Sequence, residues 1–338
     1  MRLLRYSLRR LLLIVPVLLG VTFIAFMLTR IVPGNPIERV AGPYASKEKV
    51  AEMKAAAHLD KPYHTQFYIY VRDLVTTGSL GDSYFSAQPV AKDLRERFGA
   101  SFELAFLGML VAIVLSIPLG VASAAYRDSW VDQLGRIISV LGVSMPIFWL
   151  GLVLLQVFFV RLNWLPAPMG RIDTMLSAPP PVTGLDLVDS ALTGDWAVFK
   201  DVVQHLVLPV FIIAFTAMAP LARITRSSMI EALESDYVRT ARALGLPRRL
   251  IIFDHALKNA MLPVITMVAA VFGYILGGEV LVELVFSWPG LGLYAYNAIL
   301  AADFPAIQGF ILLVTFMYVV LYLIVDLLIA ILDPRVEF

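Results

Sequence analysis

Residues 11–29 read LLLIVPVLLGVTFIAFMLT, a run without a single charged side chain. The basic segment MRLLRYSLRR, residues 1–10, precedes this run, and Arg30 follows it. A secretory signal also starts with basic residues, but its apolar core is shorter, about 7–15 residues, and a small-x-small cleavage site follows. A helix that spans a bilayer needs roughly 20 mostly apolar residues. We therefore interpret the run as an uncleaved first transmembrane helix.

Further apolar stretches of similar length follow along the chain. The six predicted spans are about Leu11–Ile31, Phe102–Ala125, Ile137–Val160, His205–Leu221, Leu262–Val285 and Ile307–Ile331. The fourth is the weakest, because it is short and is bracketed by Pro209 and Pro220. Proline is tolerated in membrane helices, so the prolines in the other spans need not change the count of six. These are Pro16, Pro118, Pro146 and Pro263.

The composition agrees with lipid as the solvent. The 338 residues are 59% hydrophobic and 16% charged, with a mean hydropathy of +0.79, whereas soluble domains carry roughly 25% charged residues. The few basic residues follow the ends of apolar runs, so no nucleic-acid partner is expected. The chain has no cysteine, which excludes disulfides, thiolate metal sites and cysteine nucleophiles. The predicted fold class is all-α integral membrane, with about six transmembrane helices.

The distribution of Lys and Arg predicts the orientation, because these residues concentrate in cytoplasmic loops. The arginines before residue 11 place the N-terminus in the cytoplasm, and six crossings return the C-terminus there. Arg223–Lys258, with seven basic residues against four acids, is predicted to be cytoplasmic. Leu162–Gln204, with two basic residues against five aspartates, is predicted to be external. Pro33–Ser101 is also external in this scheme, and it is long enough for the charge rule to lose force.

These assignments divide the chain into three parts. Residues 1–32 form the N-terminal tail and first span, residues 33–101 an external insertion, and residues 102–338 the core with the remaining spans. Within the insertion, Ser46 is a candidate N-cap for a helix over Lys47–His58. The second external insertion, residues 162–204, is predicted to be mostly loop, with one short helix near Trp196–Val203. Both insertions are either passive connections or surfaces for docking or gating.

The cytoplasmic segment carries the most informative pattern. The apolar residues Leu233, Tyr237, Ala241 and Leu244 recur at helical spacing and predict one stripe on a helix. Gly245 stands where a helix C-cap glycine is expected, and Pro247 where a new helix begins. The pattern predicts two short helices broken at residues 245–247. Such an element is either a connector lying on the headgroups or a helix that docks into a groove on a soluble partner.

At this segment the sequence resembles the permeases of ABC importers, in the dipeptide/oligopeptide/nickel branch. Residues 236–246 read DYVRTARALGL and residues 255–263 read HALKNAMLP, as in that branch. Arg239-Thr240 stand where the general family has Glu-Ala, a departure that the peptide branch shares. Similar motifs are Val32–Pro36, Gly78–Gly81, Ser144–Trp149, Arg226–Met229 and Phe286–Gly292. The long insertion from Gly170 to Pro209 is similar to that of B-type dipeptide permeases.

The resemblance implies a type I importer permease fold and a set of functional residues. It implies that a cytoplasmic coupling helix inserts into a groove on an ATPase subunit. The implied coupling residues are Tyr237, Arg239, Thr240, Ala241, Arg242, Gly245 and Leu246. The implied partners are a second homologous permease, two ATPase subunits and a periplasmic or lipid-anchored substrate-binding protein. The implied location is the bacterial cytoplasmic membrane.

The sequence itself lacks the devices of an enzyme. There is no G-x-x-x-x-G-K-[ST] motif for ATP phosphates, so ATP and Mg²⁺ are expected on partner subunits and no cofactor on this chain. The histidines His58, His64, His205 and His255 have no metal-ligand spacing, and no metal is expected.

The first rival function is an ion-coupled secondary transporter, which would usually show inverted repeats. The other is an intramembrane enzyme, for which no nucleophile–base pair is evident. Nickel chelates, glutathione and glycosides remain alternative solutes.

Two acids are candidates for the translocation path. Glu279 and Glu283 are four residues apart, so a continuous fifth helix would place both on one face near its external end. An ionised carboxylate is costly inside lipid, and a substrate's amino group would offset that cost. The alternative is that both lie in water at the headgroup boundary.

Overall fold

The computed structural model describes residues 2–31, 37, 46–277 and 279–332, and side chains within 12–31, 37, 46–277 and 279–329. The Val32–Pro36 motif and residues 333–338 lie outside the described residues. In the part of the chain that is described, regular structure is helical, and the one isolated β-bridge joins Asp82 to Pro89.

The helices are named here in chain order. They are α1 (Arg2–Ile31), α2 (Lys47–Ala56), α3 (Tyr63–Thr77), α4 (Val90–Ala125), α5 (Trp130–Ser144), α6 (Ile147–Arg161), α7 (Asp186–Thr193), α8 (Trp196–Glu234), α9 (Asp236–Ala243), α10 (Arg248–Leu276), α11 (Val280–Val285), α12 (Leu291–Ala301) and α13 (Phe304–Leu332). The end of α6 and residues Ile251–Leu257 of α10 are wound as π-helix.

Five described helices are long and apolar enough to cross a membrane, and a sixth crossing results if α5 and α6 form one bent span. The two helices meet at 99°. Met145 is extended at the break, with ψ 124°, because the ring of Pro146 disfavours the helical conformation for the residue before it. The third predicted span is therefore bent at Pro146, and the predicted count of six holds if the two helices form one span.

The predicted fourth span, His205–Leu221, is shorter than the helix that contains it. It is part of α8, which runs for 39 residues with Pro209 and Pro220 inside it. The short helix predicted near Trp196–Val203 is the first part of this helix. Buried residues recur along the whole of α8, which packs against α5, α7 and α10. This packing stabilises the helix beyond what its local sequence indicates.

The fifth span ends earlier than predicted. Helix α10 stops at Leu276, and a separate short helix, α11, begins after Glu279. The two acids therefore do not lie on the spanning helix, contrary to the prediction. The carbonyl of Glu279 accepts the backbone N–H of Glu283, so the pair forms the first turn of α11.

The insertion after α1 contains the predicted capped helix. The hydroxyl of Ser46 accepts the backbone N–H of Lys49 at 3.3 Å, which confirms the N-cap. The helix ends at Ala56 rather than His58. Helix α3 follows, and α4 begins at Val90 rather than at Phe102.

A buried carboxylate orders the loop that precedes α7. Asp189 in α7 accepts the backbone N–H groups of Val182, Thr183 and Gly184, at 2.7–3.1 Å. Burial alone would raise the pKa of this carboxyl. The hydrogen bonds lower the pKa by more than burial raises it, so the pKa lies below its ordinary value. The proline-rich segment before α7 is therefore held in one conformation by α7.

The described residues form two compact units, residues 1–101 with 289–323 and residues 102–288 with 324–337. In the first, Val90 and Leu94 pack against α12 and the start of α13, with Leu291, Tyr294 and Ala306 buried among them. In the second, α8 lies at the centre and contacts α5, α6, α7, α9, α10 and α11.

Candidate functional site

Helix α9 is bounded by local backbone chemistry. Helix α8 ends at Glu234, and Ser235 is extended, with φ −68° and ψ 157°. At the other end Gly245 has φ +74°, the left-handed conformation that glycine adopts at little cost. Leu246 donates its N–H to the carbonyl of Ala241, and Gly245 donates to Arg242. These two bonds define a Schellman turn, and α10 begins directly after Pro247. The predicted break at residues 245–247 is confirmed.

The buried face of α9 differs from the predicted stripe. Val238 is fully buried and Ala241 is 5% exposed, and both pack with Ile251 of α10. Leu233 belongs to α8, across the break at Ser235, and packs against this cluster together with Leu246. Of the predicted stripe, only Leu233 and Ala241 therefore pack α9 against its own chain. Val238, which the sequence analysis missed, is the anchor, and its spacing of three from Ala241 was the available signal.

The opposite face of α9 is open. Tyr237 is 43% exposed and Leu244 is 75% exposed. Arg239 pairs with Asp236 at 3.2 Å, although both side chains are mostly exposed. A surface ion pair of this kind contributes only about 0–1 kcal/mol. This face has free apolar area and charge for a partner protein, whereas Ala241 has none.

Two further coupling candidates are tied to the backbone. Thr240 donates its hydroxyl to the carbonyl of Asp236, at 3.1 Å. The guanidinium of Arg242 donates to the carbonyl of Leu233, at 3.2 Å, and so bridges the break between α8 and α9. Thr240 therefore bonds within α9, and only Arg242 ties α9 to the preceding helix.

Helix α9 lies between α8 and α10, and polar contacts join both of these helices to the end of α4. Arg248 donates to the carbonyl of Ala125 at 2.6 Å and stacks over the ring of Tyr126, which joins α10 to the end of α4. Arg127 pairs with Glu234 at 2.8 Å and joins the end of α4 to α8. Beneath these contacts the helices meet through a cluster with several small side chains. Its buried members are Val121, Ala124, Met229, Ala232, Ala256 and Ala260. These contacts link the segment around α9 to α4, α8 and α10.

A buried ion cluster joins α5 to α8. The carboxylate of Asp132, whose side chain is fully buried, accepts two bonds from Arg226, at 2.6 and 2.9 Å. Arg136 donates a third bond at 2.6 Å, and the backbone N–H of Asp128 a fourth at 3.1 Å. Bidentate arginine–carboxylate pairs are among the stronger polar contacts in proteins. The sequence analysis missed this cluster, because its central pair lies 94 residues apart in the chain.

The two path candidates differ in exposure. Glu283 is 1% exposed and lies inside its unit. Glu279 is partly exposed and lies beyond the end of α10. Burial, with a smaller contribution from the charge of Glu283, raises the pKa of Glu279 to about 7. Of the two, only Glu279 is accessible to a solute in this conformation.

Comparison with known proteins gives the family. Residues 116–338 match the model of the binding-protein-dependent transport system inner membrane component, and residues 3–105 match the N-terminal model of such membrane components. The chain belongs to this permease family. The predicted all-α permease fold and the resemblance to the dipeptide branch are confirmed, and the chain is a multi-pass membrane transport subunit.

The permease has relatives that match it over nearly the full length. It is 44% identical to a probable D,D-dipeptide transport system permease of Escherichia coli, covering 96% of this chain and 94% of the relative. It is 40% identical to a dipeptide transport system permease of Alkalihalophilus pseudofirmus, covering 99% and 100%. A glutathione transport system permease of Salmonella typhimurium is 35% identical, with 99% of both chains covered.

The second insertion of the permease is anchored by a buried arginine. Arg171 pairs with Glu103 of α4 at 2.7 Å and with Asp186 of α7 at 2.9 Å. Its guanidinium also lies 6.0 Å from the ring centroid of Trp288, which is fully buried. Trp288 is therefore a packing residue of its unit rather than an aromatic at the membrane interface. Neither Glu103 nor Arg171 was singled out by the sequence analysis, although an acid at the start of an apolar run was a signal.

Proposed function

We propose that the permease is one half of the translocation pathway of an ATP-driven importer for di- and oligopeptides. The observation that carries the proposal is α9, a short helix with an open face, held by a glycine turn on the ends of three long helices. The names of the relatives support the solute class, because dipeptide and di/tripeptide permeases are 39–44% identical to this chain and glutathione permeases are 35% identical.

The other components follow from this role. A second homologous permease completes the path, a substrate-binding protein delivers the peptide, and two ATPase subunits hold ATP and Mg²⁺. The open face of α9, with Tyr237 and Leu244, lies in a groove of one ATPase. Closure of the ATPases on ATP displaces α9, and the contacts of Arg248 and Arg127 transmit this displacement to α4, α8 and α10. The pathway thereby alternates between outward and inward access.

The proposal is tested by reconstitution. The permease, co-expressed with its neighbouring transport genes and purified into liposomes, is expected to import dipeptide only with ATP and the binding protein. Peptide uptake that follows a proton or sodium gradient without ATP would instead support a secondary transporter. Import of glutathione but no other peptide would narrow the solute class.

The first prediction concerns orientation. Ala191 and Ala243 are both exposed alanines, on α7 and on α9, in a chain without cysteine. Single cysteines at these positions are expected to react differently with an impermeant maleimide on intact cells. Ala191→Cys should be labelled, and Ala243→Cys only after the cells are permeabilised. The reverse pattern would overturn the assignment of α7 to the outside and of both termini to the cytoplasm.

A second prediction concerns Glu279. If its carboxylate binds the amino terminus of the peptide, the double variant Glu279→Gln, Glu283→Gln should lose uptake but keep its assembly and basal ATPase activity. Glu279→Gln alone should cause most of the loss, because Glu283 is buried. Uptake by liposomes should also fall about tenfold between external pH 8 and 6, because a carboxyl with a pKa of about 7 becomes neutral over this range.

The control is Glu52→Gln, an exposed acid of α2. It should retain both the uptake and the pH dependence of the wild type. Normal uptake by an assembled double variant would mean that the two acids lie outside the peptide path.

A further inference from the structure

In the unit of residues 1–101 and 289–323, a cavity of about 690 Å³ lies beside the end of α1. Pockets of about 300–1,000 Å³ are typical of small-ligand sites. Arg30, Gln66, Tyr70, Tyr84 and Gln308 are among the residues that line it. The function proposed above uses none of these residues.

Arg30 is a half-buried cation without a carboxylate partner among the described residues. Its Nε donates to Gln66 and its Nη1 to Thr29, both at 3.0 Å. Its guanidinium stacks on the rings of Phe26 and Phe304, at 4.4 and 5.3 Å. Arginine has five N–H donors, so those left over are available to another group. A partly desolvated cation held in this way favours an anion at its open side.

The orientation of Arg30 is set by three polar side chains that are almost completely buried. Thr29, Gln66 and Gln308 are 4%, 5% and 4% exposed. Gln308 donates its amide to the hydroxyl of Thr29, and Gln66 donates to the carbonyl of Lys61, both at 2.7 Å. The amide oxygen of Gln66 and the hydroxyl oxygen of Thr29 therefore both face Arg30. A guanidinium that is preorganised in this way loses little conformational entropy on binding.

Two tyrosines add hydroxyl donors to the same cavity. In the described part of the chain neither Tyr70 nor Tyr84 has a hydrogen-bond partner for its hydroxyl. Burial raises the pKa of each to about 12, and Arg30 opposes this shift only in part for Tyr84. Both hydroxyls are therefore protonated at physiological pH and able to donate to a carboxylate.

The acids at the cavity wall do not neutralise Arg30. Asp73 pairs with Arg72 instead, at 2.7 Å. Asp82 is exposed and forms no ion pair with a described residue. Among the described residues, the cavity thus has a cation without a carboxylate partner and, separately, an acid without a cationic partner. A ligand with both a carboxylate and an ammonium group matches this arrangement.

We propose that this cavity binds a short peptide through its free C-terminal carboxylate, with Arg30, Tyr70 and Tyr84 as donors. The inference rests on the proposed peptide-import function and extends it, since it assigns the residues that recognise the carboxylate. An anionic phosphate, such as that of a lipid headgroup, would use the same donors. The unpaired Asp82 favours the zwitterionic peptide.

The experiment measures binding and uptake with the complete transporter. A dipeptide with a free C-terminus and its C-terminal amide are compared by calorimetry on the transporter, purified without the binding protein in a detergent free of phospholipid. Wild type is expected to prefer the free acid at least tenfold, because charge-assisted bonds to arginine are lost with the amide. Arg30→Gln should abolish this preference, and Tyr84→Phe should reduce it severalfold, while Arg30→Lys should retain part of it.

Arg95→Gln is the matched control, because Arg95 is exposed on α4 and does not line the cavity. Tyr84→Phe removes one hydroxyl that has no hydrogen-bond partner in the described part of the chain, so it tests recognition even if Arg30→Gln fails to fold. A wild-type preference that all variants keep would overturn the inference while the proposed function stands. If wild type imports no peptide, the proposed function itself fails. A phospholipid that co-purifies with wild type but not with Arg30→Gln, with peptide binding unchanged, would assign the cavity to a lipid phosphate.

Discussion

Replacement of Gly245 by valine is expected to abolish peptide uptake and substrate-stimulated ATPase activity while the permease remains folded. Gly245 has φ +74°, and a Cβ built on it meets nothing within 4 Å. The cost of a side chain is therefore conformational, about 1–2 kcal/mol for L-residues in the left-handed region and more for a β-branched one. Relief of this strain would open the Schellman turn and displace α9, on which the proposed coupling depends. The measurement is ATPase retention on pull-down from detergent, together with uptake.

Two controls separate coupling from general strain. Gly245→Asn should retain most activity, because asparagine tolerates the left-handed conformation. Gly194→Val introduces the same strain at φ +71° at the end of α7, again with open space around the Cβ. It should leave ATPase binding unchanged. Equal losses in Gly245→Val and Gly194→Val would show that strain alone, and not the position of α9, explains the effect.

The expected effect of a substitution on α9 depends on whether the side chain is exposed or buried. Tyr237→Ala and Leu244→Ala remove apolar area from the open face and should weaken ATPase binding without unfolding the permease. Arg239→Gln should have only a modest effect, because its pair with Asp236 is exposed. Ala241→Trp would overfill the cluster with Val238 and Ile251, so it tests packing rather than docking.

Asp132→Ala is expected to cause the largest loss of stability. Removal of one partner from a buried ion pair costs about 3–5 kcal/mol, because the other charge stays buried and unpaired. Here the partly buried Arg226 would lose both of its charge-assisted bonds, and α5 would separate from α8. The expected result is a low yield of monodisperse protein and a clear drop in melting temperature in detergent.

Asp128→Asn is the matched control, since the side chain of Asp128 is 75% exposed and pairs with the same Arg136. Asparagine also tolerates the left-handed φ of +62° at this position. The loss should be about 0–1 kcal/mol. The double variant Asp132→Leu, Arg226→Met should recover part of the stability, because removal of both partners leaves no buried charge. A melting temperature for Asp132→Ala equal to that of Asp128→Asn would contradict the assigned role of the cluster.

Local chemistry determined several features that were readable from the sequence. The Ser46 cap needs only one hydroxyl and the N–H three residues on. The break between α9 and α10 depends on Gly245 and Pro247, whose backbone preferences act within a few bonds. The apolar runs determined the class of protein, because backbone groups in lipid must be satisfied within a helix or a barrel. The motif at residues 236–246, in α9 and the turn after it, indicated the permease family.

Tertiary contacts decided the rest. Pro209 and Pro220 remain inside α8 because neighbouring helices cover its length, whereas the chain bends at Pro146, and the local sequence does not distinguish the two cases. The buried face of α9 contacts Ile251 of α10, so Ala241 of the predicted stripe became a core contact, while Tyr237 and Leu244 stayed exposed. The pairing of Asp132 with Arg226 joins residues 94 apart, and only the packing of α5 on α8 brings them together. Periodicity and caps act over one or two turns, while burial and charge pairing depend on which helices become neighbours.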